Sequence, residues 1–135
     1  NNYKTIGYPA AVNIGNPHCV FFIKDFKDID YQKIGARIEF HPIFPEQANI
    51  GFVKIISKNM IQLKVWERGV GMTLACGTGA CAAVVAAVRQ KKINNKVKVQ
   101  VDGGELFIEW NKNTQHVLMT GPVKLEHKKV IKNYF

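Results

Sequence analysis

Residues 77 to about 91 constrain the fold more than any other segment. From Gly77 through Val88 nearly every side chain is small or apolar, with Ala80, Ala82, Ala83, Val84, Val85, Ala86 and Ala87 in close succession. A helix that is apolar on all sides has no face to give to water, so it must lie inside the protein. Arg89, Lys91 and Lys92 follow where the negative end of its dipole falls, and Asn94-Asn95 ends it. At 1.5 Å per residue such a helix is ~22 Å long, about the width of a small domain. The surrounding material has to come from the rest of the chain, which reads mainly as strands. The expectation is therefore an α+β domain spanning residues 1–135, with a curved, barrel-like, mostly antiparallel sheet wrapped around a central apolar helix.

The remaining elements follow from pattern and punctuation. Val20 to Ile23 is a short apolar run suited to a buried strand. Asp30 is placed to cap a helix from about Tyr31 to Phe40, which His41-Pro42 terminates because the residue before proline avoids helical geometry. Gly51 to Ser57 and Met60 to Trp66 form a hairpin across Lys58-Asn59, and Glu67 to Gly71 reads as a loop. Val97 to Val101, Glu105 to Trp110, Val117 to Thr120 and Val123 to Glu126 are predicted strands, separated by Gly-, Asn- and Pro-rich turns.

Composition removes several classes of function. Leu74 to Val88, the longest near-continuous apolar run, is shorter than the ~20 residues a membrane helix needs. Neither end carries a basic region, apolar stretch and small-residue cleavage site. The three cysteines, Cys19, Cys76 and Cys81, make an odd count without a framework, which fits a reducing compartment. A cytoplasmic protein without a membrane partner is expected. The net charge of +9 suggests nucleic acid, but only three of nineteen basic residues are Arg. Lys54, Lys64, Lys96 and Lys98 are spaced like the solvent faces of strands, and no aromatic-interleaved basic stripe is present. A lysine-rich solvated surface accounts for the charge without a nucleic-acid partner. No zinc-type spacing joins the cysteines to His18, so no metal is expected.

The chemistry concentrates where the central helix begins. Cys76-Gly77-Thr78-Gly79 delivers a thiol into the first helical turn. The N–H groups of Gly77 and Thr78 lack intrahelical partners there and point outward with the positive end of the dipole. A carboxylate can dock on them, and the same field favours the thiolate, the reactive form of cysteine. Close helix packing is the competing reading of this segment, and Cys81 lies within the apolar body, where a core role suits it. Gly15-Asn16-Pro17-His18-Cys19 is a second candidate: Asn16 can aim its amide away from the chain, and His18 can move a proton or support a thiolate. A turn with a gap-filling histidine is the alternative. Glu67-Arg68, closing a strand, has the charges to clamp a zwitterion but is equally a surface pair. Asn49 is either a ligand or a turn residue.

Taken in order, Gly15-Asn16-Pro17-His18, Phe44-Pro45-Glu46 with Asn49, the long run Glu67 to Ala80, and Gly121-Pro122-Val123 resemble the C-terminal half of the diaminopimelate epimerase family. The resemblance covers essentially the whole chain. It implies a cofactor-independent two-base epimerisation of LL- and meso-diaminopimelate, in lysine and peptidoglycan precursor biosynthesis. By that resemblance Cys76 is one of two catalytic cysteines, and Gly77 and Thr78 bind the reacting carboxylate. Glu67 contacts the substrate ammonium beside the thiol, Asn16, Asn49 and Arg68 hold the distal end, and His18 supports the opposite cysteine. The family's N-terminal half, with the second cysteine, is absent from these residues. It is the expected partner besides the substrate, the full-length protein could form a homodimer, and this chain alone is expected to be inactive. Proline-racemase-like and phenazine-biosynthesis-like isomerases are the nearest alternatives, and a basic anion- or nucleic-acid-binding module is a more distant one.

Overall fold

Strands alternating apolar and polar residues need a body to close upon, and here the central helix supplies it. The computed structural model describes residues 6–128, and among these eight strands form one curled sheet. They are β1 (Ala10–Asn13), β2 (Pro17–Phe22), β3 (Asn49–Ser57), β4 (Met60–Glu67), β5 (Gly71–Thr73), β6 (Lys96–Val101), β7 (Gly104–Trp110) and β8 (Val117–Thr120). The order across the sheet is β1-β2-β3-β4-β6-β7-β8, with β5 added beside β4. The β2/β3 and β4/β6 pairs are parallel and the others antiparallel, so the sheet is mixed with antiparallel pairing predominating.

Among the described residues two α-helices occupy opposite faces. Helix α2 (Gly77–Arg89) lies in the concave face and is buried continuously from Gly79 to Val88. Its alanines and valines meet Val20, Val53, Ile61, Leu63, Val65, Val97, Val99 and Ile108. Helix α1 (Tyr31–Glu39) covers the other face over β2 and β3, with Cys19, Phe21, Ile34, Ile50 and Phe52 in its cluster. Because side chains alternate along a strand, β2 and β3 are buried on both faces. The same period sends Val65 of β4 toward α2 and Trp66 toward α1. No helix among the described residues is long and apolar enough to cross a membrane.

The strand lysines face outward, as their spacing predicts, and they pair with acids. Lys54 meets Asp25 at 3.1 Å, Lys98 meets Glu105 at 3.1 Å, Lys96 meets Glu109 at 3.3 Å, and Lys64 meets Asp102. Such exposed pairs each contribute little to stability, typically below ~1 kcal/mol. Asp30 caps α1 through a 3.1 Å bond from the Lys33 N–H to its Oδ1. Helix α2 stops earlier than Asn94-Asn95 suggests. Lys91 takes a left-handed φ of +57°, and the N–H groups of Lys91 and Lys92 turn back to the carbonyls of Val88 and Ala87, each at 2.9 Å.

Four details depart from the sequence expectation. Strand β1, Ala-Ala-Val-Asn, carries no strong strand signal and exists through pairing with β2. Strand β2 begins at Pro17, three residues before the apolar run, since proline is tolerated at the first position of a strand. The expected loop after Glu67 folds back as β5. Residues 121–128 form no regular element, and Val123 and Leu125 are 99% and 82% exposed. The Val123–Glu126 alternation is strand-like, but alternation without a neighbouring strand has no hydrogen bonds to complete.

Candidate functional site

The start of α2 is built from a cysteine in a capping role usually filled by Ser, Thr, Asp or Asn. Cys76 is extended, with φ −143° and ψ 111°, and its Sγ accepts the N–H of Gly79 at 3.3 Å. The Ala80 N–H goes to the Cys76 carbonyl at 2.9 Å. Among the described residues the N–H groups of Gly77 and Thr78 meet no acceptor, so the helix end presents two aligned donors beside the sulfur. The approach depends on glycine. A Cβ at Gly79 would stand 3.1 Å from Val65 Cγ2 and 3.2 Å from the Cys76 sulfur, and one at Gly77 would stand 3.1 Å from the sulfur of Met119.

Strand β2 brings the second segment to the same rim. His18 shares the concave face with Val20 and is 2% exposed. Burial lowers its pKa to about 4, with Glu67 opposing that shift and Arg68 adding to it. The ring is therefore uncharged near neutrality. Asn16 donates through Nδ2 to Thr78 Oγ1 at 3.4 Å, which leaves its Oδ1 to accept from His18 Nε2 at 3.0 Å. Thr78 Oγ1 in turn lies 3.6 Å from Cys76 Sγ. A single chain of polar contacts thus runs from His18 through Asn16 and Thr78 to the thiol.

Glu67 and Arg68 close β4. The Thr73 hydroxyl on β5 donates to Glu67 Oε1 at 2.6 Å, fixing that carboxylate. Asn49, paired in register with His18, is 5% exposed. Its Oδ1 accepts the Arg68 N–H at 3.0 Å, and its Nδ2 donates to the Pro17 carbonyl at 3.3 Å. The Arg68 guanidinium donates to the Glu46 carbonyl at 2.8 Å, in a loop where Gln47 adopts φ +59°. Asn49 thus ties the β2 segment to the Arg68 turn.

The other two thiols lie apart from this chemistry. Burial pushes the Cys19 thiol up to about 12, on the α1 side of the sheet. Cys81 is raised first by burial and then by its proximity to Cys76. Two contributors escaped the sequence reading. Thr73 carries no local signal, because its contact with Glu67 arises from the pairing of β5 with β4. Glu39 has no sequence signal that sets it apart from a helix-end surface charge, yet it is 3% exposed, with both oxygens bonded to groups flanking Glu67-Arg68. Among the described residues no three His, Cys, Asp or Glu side chains converge as metal ligands.

A curled sheet wrapped around a buried helix defines a class of folds. The phenazine biosynthesis protein of the PhzF family from Bacillus anthracis superposes with a TM-score of 0.55 at 16% identity, over 84% of this chain and 38% of that one. The Enterococcus faecalis member gives 0.55 at 12% identity, over 72% of this chain and 35% of that one. At these identities the likeness is one of fold. The sequence profile named diaminopimelate epimerase matches residues 10–126, and the chain belongs to that family. The diaminopimelate epimerase of Methylorubrum populi is 56% identical over 119 residues, 87% of this chain and 40% of that protein. Those of Caulobacter vibrioides and Desulfitobacterium hafniense are 51% and 50% identical, over 88% and 90% of this chain and 42% and 43% of theirs. The chain therefore spans about two fifths of the length of these curated relatives.

Proposed function

We propose that this chain is the C-terminal half of a diaminopimelate epimerase and that Cys76 is one of two opposed proton-transferring thiols. The observation that carries the reading is the Cys76 sulfur at the cap of α2, beside the outward N–H groups of Gly77 and Thr78. A substrate α-carboxylate seated on those donors sits where negative charge grows as the α-carbon loses its proton. Fixed donors there stabilise the transition state more than the ground state. A thiolate on one face takes the proton, forming an S–H bond while the C–H pair moves toward the carboxylate. A thiol on the other face gives up its proton, and the α-carbon is inverted. No pyridoxal phosphate is required, because the helix end takes the developing charge.

The second thiol belongs, in this reading, to the N-terminal half, and neither half epimerises alone. Glu67, held by Thr73, receives the substrate ammonium. Asn16, Asn49 and Arg68 serve the distal amino-acid end, with Arg68 supplying the charge a second carboxylate needs. His18 acts as an uncharged brace through Asn16, which positions Thr78 beside the sulfur. The choice of diaminopimelate over other isomerase substrates rests on relatives near 50% identity, whereas the structural neighbours speak only for the fold. The setting is the cytoplasmic synthesis of lysine and peptidoglycan precursors.

The experiment combines this chain with a separately produced N-terminal half and follows exchange of the α-proton of LL-diaminopimelate for deuterium. Exchange confined to the mixture and lost in Cys76→Ala supports both the split enzyme and the base. Conversion of LL- to meso-diaminopimelate by this chain alone, free of host enzyme, removes the two-thiol account.

A further inference from the structure

Glu39 occupies an unfavourable place for an acid. It is the last residue of α1, where the helix dipole is negative, and it is 3% exposed. A buried carboxylate is tolerated only when its oxygens are well bonded. Glu39 Oε2 accepts the indole N–H of Trp66 at 2.8 Å, and Oε1 accepts the backbone N–H of Gly69 at 2.7 Å. These donors lie on either side of Glu67-Arg68.

The turn itself explains why two outside acceptors are needed. The Val70 N–H bonds to the Glu67 carbonyl at 3.1 Å, closing a four-residue turn with Gly69 at φ +75°. That bond leaves the N–H groups of Arg68 and Gly69 without a partner inside the turn. Asn49 Oδ1 from β3 takes the first and Glu39 Oε1 from α1 takes the second. One helical turn before Glu39, Gly35 makes room for the Trp66 ring: a Cβ there would fall 2.5 Å from Cδ2. Gly35 and Glu39, on one face of α1, thus form a mount for the turn that carries the Arg68 guanidinium.

We propose that Glu39 is a positioning residue, whose carboxylate holds the Arg68 turn and so sets the grip on the substrate end distant from the reacting carbon. The inference rests on the proposed function for the identity of that substrate. The test compares Glu39→Gln, Arg68→Ala and the double variant in an enzyme carrying this chain together with its N-terminal half. Glu39→Gln keeps the shape and one acceptor oxygen but faces an NH2 toward an N–H donor. The expected result is a KM for diaminopimelate raised about tenfold with kcat within about threefold, and a double variant no worse than Arg68→Ala alone. In this chain by itself, hydrogen exchange at the Gly69 amide and the Trp66 indole should quicken about tenfold while the Val84 and Val99 amides hold.

An unchanged KM, effects that multiply between Glu39 and Arg68, or uniform loosening of all amides would overturn the proposal. Should Glu39→Gln fail to fold, Glu39→Asp retains the charge, shortens the reach and is read by the same split. If the unaltered enzyme does not act on diaminopimelate, the proposed function falls. The exchange measurement then decides the mount on its own: selective loosening at Gly69 supports it, and an unaffected Gly69 removes it.

Discussion

Helix α2 is buried without interruption from Gly79 to Val88, whereas α1 buries only Ile34, Gly35 and Glu39 of its nine residues. The first is enclosed by strands from both halves of the sheet, and the second rests on one patch of the opposite face. Both direct a polar feature at the candidate site. Helix α2 does so through its axis, so the Cys76 cap is fixed by the whole core. Helix α1 does so through two side-chain positions one turn apart, so its influence on the Arg68 turn is local. Groups that need an exact geometry, as the proposed function asks of Cys76 and the Gly77 and Thr78 N–H groups, belong on the element least able to move. A binding arm can be carried by the more peripheral one.

The largest expected contrast comes from adding bulk to each helix. Ala83 on α2 is 0% exposed, and Ala83→Leu should destabilise the chain by about 3 kcal/mol or more, whereas Ala36→Leu on α1 should change it by less than about 0.5 kcal/mol. Urea unfolding of both variants measures the difference; equal effects would mean that α2 is not closely enclosed.

Nearly as large is the acid response of the rim. The native pKa of His18, about 4, lies below the 6.5 of the unfolded chain, so between those values the unfolded state binds the extra proton. The stability supplied by the uncharged ring is full above pH 6.5 and declines as the pH falls toward 4, by roughly 3 kcal/mol in total. His18→Gln should flatten that part of the profile of stability against pH, whatever its effect at neutrality. A slope retained in the variant would move the response to another group.

Next comes the α1 mount. Gly35→Ala places a methyl against the Trp66 ring and should destabilise by about 2 kcal/mol, with the indole N–H resonance of Trp66 displaced. If that resonance stays in place, α1 does not bear on the turn as described. The smallest effect separates the thiols. Cys19 and Cys81 are held protonated by burial, so iodoacetamide at neutral pH should label Cys76 at least about tenfold faster than either. Peptide mapping of the alkylated chain gives the order.

The elements set by local pattern were legible in the sequence. An all-round apolar segment had to be enclosed, the Lys-x-Lys alternation had to face water, and Asp30 had to cap a helix. Each depends on neighbours within a few positions. Strands β1 and β5 were not legible, because Ala10–Asn13 and Gly71–Thr73 have little strand character and are held by the neighbouring strand across a turn. The reverse occurred at Val123–Glu126, where strand-like alternation met no partner among the described residues. At the site, Cys76, Gly77 and Thr78 stood out as a contiguous run. Glu39 did not, since nothing in Arg-Ile-Glu-Phe distinguishes a buried acceptor from a surface charge.

By itself, then, the sequence determined which segments seek the interior and which carry reactive groups, because hydrophobic period, capping and thiol placement are properties of short stretches. Only the tertiary structure decided what those groups touch. The joining of His18 to Cys76 turns on the Asn16–Thr78 contact, 62 positions apart, the twin acceptors reach the Arg68 turn across 19 and 30 positions, and the uncharged state of His18 comes from burial. Distance in space and removal from water are set by the packing of the whole chain, and no local pattern encodes them.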